Sequence, residues 1–327
     1  MHTTKVKQKE DDANQNSAAI NNYLCLAMSD IKKLIQELEQ GDKKALARCI
    51  TIVENGMDGA EDILLSLNSK KKVPIIGITG PPGAGKSTLV NSLIKKMTEA
   101  GLFIGVVAID PTSPFNFGSI LGDRIRMAEH FNNPNVYIRS LATRGSLGGL
   151  SAKIIEVTDV MKASNFDYII VETVGVGQSE IEIVGLADTT VLVLVPEGGD
   201  EVQSMKSGIM EIADIFVVNK SDRAGAASFL KNILQLIHSQ TLKNWNPKVV
   251  KAVAIRDEGT DELLDTIKEH QEKTINTKRP YLLAEKAYKL IQQYRMGTVN
   301  RQQLRDEVEK QMNGEGFNLY AFAKSKY

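Results

Sequence analysis

Between residues 80 and 87 the chain reads Gly80-Pro81-Pro82-Gly83-Ala84-Gly85-Lys86-Ser87. Glycines at this spacing let successive backbone N–H groups turn inward and form a concavity for phosphate oxygens. A short apolar run, Val73-Pro74-Ile75-Ile76-Gly77-Ile78, leads into the octet, and a helical pattern from Lys86 to Glu99 leaves it. Strand, glycine turn and helix together place a triphosphate at a helix N-terminus, where partial positive charge collects. Lys86 adds a point charge at the β/γ bridge, and the Ser87 hydroxyl is placed to ligate Mg2+. The expected phosphate contacts are Gly80, Pro82, Gly83, Ala84, Gly85, Lys86, Ser87 and Thr88.

A turn of this kind needs a sheet behind it, and the chain supplies one. Leu102–Ile109, Tyr168–Val171, Thr189–Val195, Ile215–Val218 and Val249–Ile255 are further apolar, β-branched runs, with helix-like segments between most of them. Continuous rather than alternating hydrophobicity means strands buried on both faces, which predicts an α/β fold with a mainly parallel central sheet flanked by helices. This P-loop domain is expected over residues 70–277. Residues 1–69 form an N-terminal tail and helical region, in which Leu24, Met28, Ile31, Leu34, Ile35 and Leu38 make one apolar stripe before the break at Gly41-Asp42. Residues 278–327 look helical again, over Leu282–Gln293 and Gln302–Met312.

Composition narrows the function classes. The 327 residues carry 40 Lys+Arg against 40 Asp+Glu. That balance argues against a nucleic-acid binder, which shows a basic excess, and against a polybasic membrane anchor. The two cysteines, Cys25 and Cys49, lie far apart in helix-like sequence, which leaves no disulfide framework and no thiolate zinc site. No apolar stretch approaches the ~20 residues that cross a bilayer. The polar, mixed-charge stretch 1–16 reads as neither signal nor transit peptide, so a cytoplasmic location is expected.

A phosphate loop does not choose a base; Asn219-Lys220-Ser221-Asp222 addresses that. It follows the apolar run Ile215–Val218, at the carboxyl end of a strand, where open α/β sheets bind ligands. It resembles the NKxD motif, in which Asp222 accepts two hydrogen bonds from guanine N1–H and the 2-amino group while Lys220 lies along the ring. Adenine offers neither donor there and leaves a carboxylate unpaired. A third contact is expected from the turn Val253-Ala254-Ile255, through the Ala254 backbone.

Carboxylates supply the metal side. Glu172 ends a buried strand and Gly175 lies three residues on. Such a carboxylate holds a water on Mg2+, and the Gly175 N–H reaches a γ-phosphate. Asp110 ends the second strand and is expected near the metal; Asp123 either approaches the metal or caps a helix over 124–131. Lys86, Asp110, Glu172 and Gly175 are thus the catalytic candidates. Val176 stands where Ras-type GTPases place a water-orienting Gln, with Gln178 two residues further, so slow hydrolysis by the isolated protein is expected. Arg124, Arg126, Arg139 and Arg144 are candidates for charge stabilisation, or plain surface residues. Two flexible loops, Arg144–Leu150 and Glu197-Gly198-Gly199-Asp200-Glu201, do not reveal their purpose alone.

Taken together, Gly80–Ser87, Asp110-Pro111, Gly118–Arg124, the run Glu172-Thr173-Val174-Gly175-Val176-Gly177-Gln178-Ser179-Glu180 and Asn219–Asp222 resemble the MeaB/ArgK group of P-loop GTPases, of the SIMIBI class, which includes methylmalonic aciduria type A proteins. In those GTPases an Asp is common where this chain has Glu172. The resemblance implies a GTPase chaperone that gates cobalamin loading of an adenosylcobalamin-dependent acyl-CoA mutase and protects or reactivates it. It further implies Mg2+ with GTP or GDP and no covalently bound cofactor, the cobalamin belonging to the partner. It implies a homodimer with residues 278–327 as dimerisation arm, and a switch and partner loop around Gln178, Glu197, Asp200 and Glu201. Two alternatives stand beside it. A nickel metallochaperone-type GTPase calls for a His- or Cys-rich tract, whereas His2, His130, His238 and His270 are isolated. A P-loop small-molecule kinase has no need of the guanine motif.

Overall fold

The computed structural model describes residues 28–67, 72–110, 127–142, 153–173, 179–197, 213–238, 245–275, 277, 279–296, 299–312 and 317–326. Two compact units divide the chain, with the boundary between Asn276 and Thr277. Among the described residues the first unit begins with α1 (Met28–Glu39), α2 (Lys43–Asn55) and α3 (Ala60–Ser66). Asp42 caps α2 by accepting the Ala45 N–H at 2.7 Å, and Gly56 closes it in the left-handed conformation (φ 59°). These signals bracket a face of Leu46, Cys49, Ile50 and Val53, all fully or almost fully buried.

The sheet follows: β1 (Ile75–Thr79), α4 (Lys86–Glu99), β2 (Ile104–Asp110), β3 (Val136–Ala142), α5 (Ile154–Lys162), β4 (Tyr168–Glu172), α6 (Ser179–Leu186), β5 (Thr189–Leu194), β6 (Ile215–Val218), α7 (Ala226–His238), β7 (Lys248–Lys251) and α8 (Thr260–Lys273). Among the described residues its seven strands run in the order β3-β2-β4-β1-β5-β6-β7, and each of these pairings is parallel. The expected α/β class is therefore what forms. β1, β5 and β6 are buried along their whole length, as strands that are apolar apart from Thr79, Thr189 and Thr190 and covered on both faces should be. Parallel order puts the carboxyl ends of β1, β4, β5 and β6 on one edge, which is where the site lies.

Three details depart from the sequence reading. β3 was not among the expected strands. It lies at the sheet edge, and its Tyr137, Arg139 and Ser140 interrupt the continuous hydrophobicity that marks the inner strands. The last strand ends at Lys251 rather than Ile255. Its partner β6 stops at Val218; the chain turns there and Ala254–Arg256 close a 3-10 turn. Within the expected helix 124–131, residues 124–126 lie outside the described residues and Ala128–His130 form a single 3-10 turn.

The second unit carries α9 (Arg279–Met296), α10 (Arg301–Met312) and α11 (Leu319–Lys324). Asn300 receives the N–H groups of Gln302 and Gln303 at 2.9 and 3.2 Å, a start signal for α10. Along α9, Tyr281, Tyr288, Leu290, Ile291 and Tyr294 are exposed. Among the described residues no helix is long and apolar enough to cross a membrane.

Candidate nucleotide-binding site

β1 delivers the chain into the glycine turn, and sterics explain the glycines. Gly80 sits at φ 140°, and a Cβ there would lie 2.1 Å from the Val193 carbonyl oxygen of β5. Gly85 sits at φ 86°, and a Cβ there would lie 2.4 Å from Asn219 Nδ2. Neither position admits a side chain. Helix α4 begins at the next residue, so its free N–H groups and dipole face the loop. Lys86 Nζ donates to the carbonyls of Gly80 (2.9 Å) and Pro81 (3.1 Å), which curl its ammonium over the loop.

Ser87, on the first turn of α4, donates through Oγ to Glu172 Oε1 at 2.7 Å. Both residues are buried, Glu172 to 4% exposure. The reach follows from topology: β4 pairs with β1, with Ile78 opposite Glu172, so the strand-end carboxylate sits beside the glycine turn. Thr173 Oγ1 donates to Thr79 Oγ1 at 3.0 Å and fastens the two strand ends. A hydroxyl and a carboxylate facing each other at a helix N-terminus are hard oxygen donors, and a short protein ligand set completed by water and phosphate suits Mg2+. The backbone of Asp110 lies at the carboxyl end of β2, opposite Ala142. Its side chain, and Asp123, Gly175, Gln178, Asp200 and Glu201, lie outside the described residues.

The NKxD segment is built around one buried side chain. Asn219, 3% exposed, donates through Nδ2 to the Ala84 carbonyl of the glycine turn at 2.8 Å. Its Oδ1 accepts the Ala254 N–H at 3.1 Å. Lys220, held in the left-handed region (φ 55°), reaches back to the Gly83 carbonyl at 2.8 Å. Asp222 projects from the same loop and pairs with Arg256, Oδ2 to Nη2 2.9 Å; Arg256 also reaches Glu258 at 3.2 Å. Val253 and Ala254 are buried, whereas the Ile255 side chain is 85% exposed. The Ala254 amide is thus engaged by Asn219. Arg256 and its neighbour Asp257 carry no motif spacing, so the sequence alone does not single them out.

Two other expectations find places. Glu197 pairs with Arg223 at 2.5 Å, directly after Asp222, and the Arg223 bond holds the Glu197 carboxyl below its ordinary range. Arg139 pairs with Glu54 of α2 at 2.5 Å and ties the N-terminal helices to the sheet edge. Lys43 does the same through the carbonyls of Asn133 and Val136, at 3.3 and 2.8 Å. Arg124, Arg126 and Arg144 lie outside the described residues.

Chemically, the arrangement sets the amides of a glycine turn under a lysine ammonium, beside a buried hydroxyl–carboxylate pair of hard oxygen donors, with an acidic side chain on the neighbouring loop. The family model described as methylmalonyl Co-A mutase-associated GTPase MeaB matches residues 46–313. A protein of Pyrococcus abyssi named as a GTPase is 51% identical over 247 residues, 74% of this chain and 76% of its own length. The mitochondrial methylmalonic aciduria type A homolog of Mus musculus is 36% identical over 263 residues, 74% of this chain and 63% of its own length. GTPase ArgK of Escherichia coli is 34% identical over 248 residues, 71% and 73% of the two chains. The crystal structure of LAO/AO transport system kinase matches the fold with a TM-score of 0.66 at 21% identity, covering 92% of this chain and 97% of that one.

Proposed function

The chain belongs to the MeaB family of methylmalonyl Co-A mutase-associated GTPases, and from that premise we propose that it is a GTP-gated chaperone of an adenosylcobalamin-dependent acyl-CoA mutase. In this reading it controls cobalamin loading and protects or reactivates the mutase. It works in the cytoplasm as a homodimer, and the exposed aromatic and aliphatic stripe of α9 supports residues 278–327 as the dimerisation arm.

The observation that carries the nucleotide half of the proposal is the Asn219 bridge between Ala84 and Ala254, because it makes the phosphate turn and the base loop one assembly. A triphosphate seats on the amides of Gly83 to Ser87, with the Lys86 ammonium over its β/γ bridge. Asp222 exchanges Arg256 for the paired donors of guanine, and the Lys220 stem flanks the ring. Ser87 and Glu172 would hold Mg2+, which when bound neutralises charge on the phosphate oxygens. With Val176 where a water-orienting Gln stands in Ras-type enzymes, turnover by the isolated protein is slow and rises when a partner orders the site.

The test is to mix the full-length chain with a methylmalonyl-CoA mutase carrying adenosylcobalamin, in GDP and in a non-hydrolysable GTP analogue. Complex formation is read by native mass spectrometry and GTP hydrolysis by phosphate release. A complex whose stability depends on the nucleotide, with faster hydrolysis in the mixture, is expected. No complex in either state, and no change in rate, would remove the mutase from the proposal.

A further inference from the structure

We infer that Asp257 is the positioning residue of the base pocket: its carboxylate fastens the loop 253–258 to the phosphate-loop helix α4, and so fixes the height of the base-reading groups above the phosphates. The inference deepens the reading above and rests on it, since it takes the base to lie between Lys220, Asp222 and the 253–255 turn.

Asp257 closes the 3-10 turn Ala254–Arg256 in the left-handed conformation, φ 57°. Only Lys220 shares that feature among the described non-glycine residues, and it too lies beside the pocket. Backbone held in this region costs free energy and persists where the surroundings hold it. The surroundings here are on α4. Ser92 Oγ donates to Asp257 Oδ1 at 2.7 Å and Lys95 Nζ to Oδ2 at 2.6 Å. Ser92 also exchanges a 2.7 Å hydrogen bond with Thr260, at the start of α8. Lys95, through its hydrogen bond first and then Ser92, holds the Asp257 carboxyl below its ordinary range, and the same bond raises the Lys95 ammonium.

The loop is also hydrogen-bonded within itself. Val253 donates to the Glu258 carbonyl at 3.0 Å and Arg256 to the Val253 carbonyl at 2.8 Å. A side chain gripped at residue 257 therefore sets the positions of Ala254, which meets Asn219, and Arg256, which meets Asp222. Ser92 lies six residues along α4 from Lys86, or about 9 Å of helix. The base loop is thus pinned twice to the phosphate-binding element: at its root by Asn219, and further along by Asp257. A ligand with phosphates and base at a fixed separation gains from such a two-point frame, because its pocket is ordered before binding. Neither contact of Asp257 touches Lys86, Ser87 or Glu172, so its removal should act on binding rather than on bond cleavage.

The experiment compares Asp257→Ala, Asp257→Asn and Asp222→Asn in the full-length protein, reading kcat and KM for GTP, the Kd of a fluorescent GDP analogue, and preference for GTP over xanthosine triphosphate. Asp257→Ala is expected to raise KM and Kd about tenfold while kcat stays within about twofold, as loss of uniform binding does. Asp257→Asn, which still accepts from Ser92 and tolerates the left-handed backbone, should recover most of that loss. If Asp257→Ala does not fold, the Ser92→Ala/Lys95→Met double variant, with Asp257 in place, is judged by the same split. An unchanged KM, or kcat and KM lost together without rescue by Asn, overturns the inference. Asp222→Asn separates the two readings: if it fails to move preference toward xanthosine triphosphate, the pocket itself is misassigned. If it does move preference and Asp257→Ala leaves KM alone, only the positioning role falls.

Discussion

The Asn219 side-chain amide stands 2.8 Å from the Ala84 carbonyl, so a residue after β6 holds a residue after β1 across the intervening β5. The bond is buried, and the Asn219 backbone is itself fixed by donating to the Leu194 carbonyl of β5 at 2.8 Å. Three strand ends therefore share one polar anchor. The asparagine of the NKxD sequence is, in this molecule, a structural link between strand ends.

Asn219→Asp keeps size and shape but replaces the Nδ2 donor with an acceptor facing the Ala84 carbonyl. A buried carbonyl left without its donor, with a charge added beside it, costs roughly 1–3 kcal/mol or more. Nucleotide affinity should fall about tenfold to a hundredfold. Fluorescent GDP titration checks it, and an affinity within twofold of the parent chain would show that the anchor does not matter for binding.

Ser87→Ala removes the hydroxyl that meets Glu172 at 2.7 Å and leaves a buried carboxylate oxygen without that partner. If these two groups serve the metal, the variant should need far more Mg2+ for hydrolysis, while GDP binding in EDTA changes little. A Mg2+ titration of phosphate release gives the comparison. An unaltered half-saturating Mg2+ concentration would take Ser87 out of the metal site.

Much of the fold was legible because buried parallel strands advertise themselves. The runs at 75–78 and 215–218 carry no polar side chain and are uniformly buried, and α4 spans Lys86–Glu99 as its pattern predicts. β3 was not legible: an edge strand is covered on fewer sides, so Tyr137, Arg139 and Ser140 are tolerated and the run loses its signature. The six-residue α11 is too short for periodicity to register; the Asn318 cap and the Phe317–Phe322 contact hold it. At the site, motif spacing reached the glycine turn, Glu172 and Asn219–Asp222. It did not reach Asp257, whose partner Ser92 is 165 residues away in sequence. No local pattern encodes a contact made only by the fold.

Arg139 supplies a test of that distinction. Its pair with Glu54 has one carboxylate side chain only 9% exposed, so cutting it leaves a largely buried charge. Arg139→Met should destabilise the protein by about 2 kcal/mol, discounted from the full buried-pair value because the arginine is 23% exposed. For a unit of this size that is a Tm lower by roughly 4–8 °C. KM and kcat for GTP should stay near the parent values once the protein is folded. A large fall in kcat with no change in Tm would return Arg139 to the catalytic candidates.

Cys49 lies fully buried in α2, and burial is the main reason its thiol is pushed up to about 11 from 9.0, with Arg48 pulling weakly the other way. The thiolate is the reactive form. At pH 8.5 a thiol of that pKa is ionised to well under a hundredth, against about a quarter for one at the ordinary value. Alkylation at Cys49 in the native protein should therefore run at least about a hundredfold slower than in urea, as read by mass spectrometry of its peptide. The linkage has a definite sign. A folded value above the unfolded one means the thiol's contribution is complete below the unfolded pKa and drains away as pH rises toward 11. Stability measured by urea unfolding should fall between pH 9 and 11, and Cys49→Ala should flatten that slope even though its cavity lowers stability at pH 7. Native labelling as fast as in urea would mean that α2 opens readily from the sheet edge, and that Arg139–Glu54 and Lys43 do not hold it there.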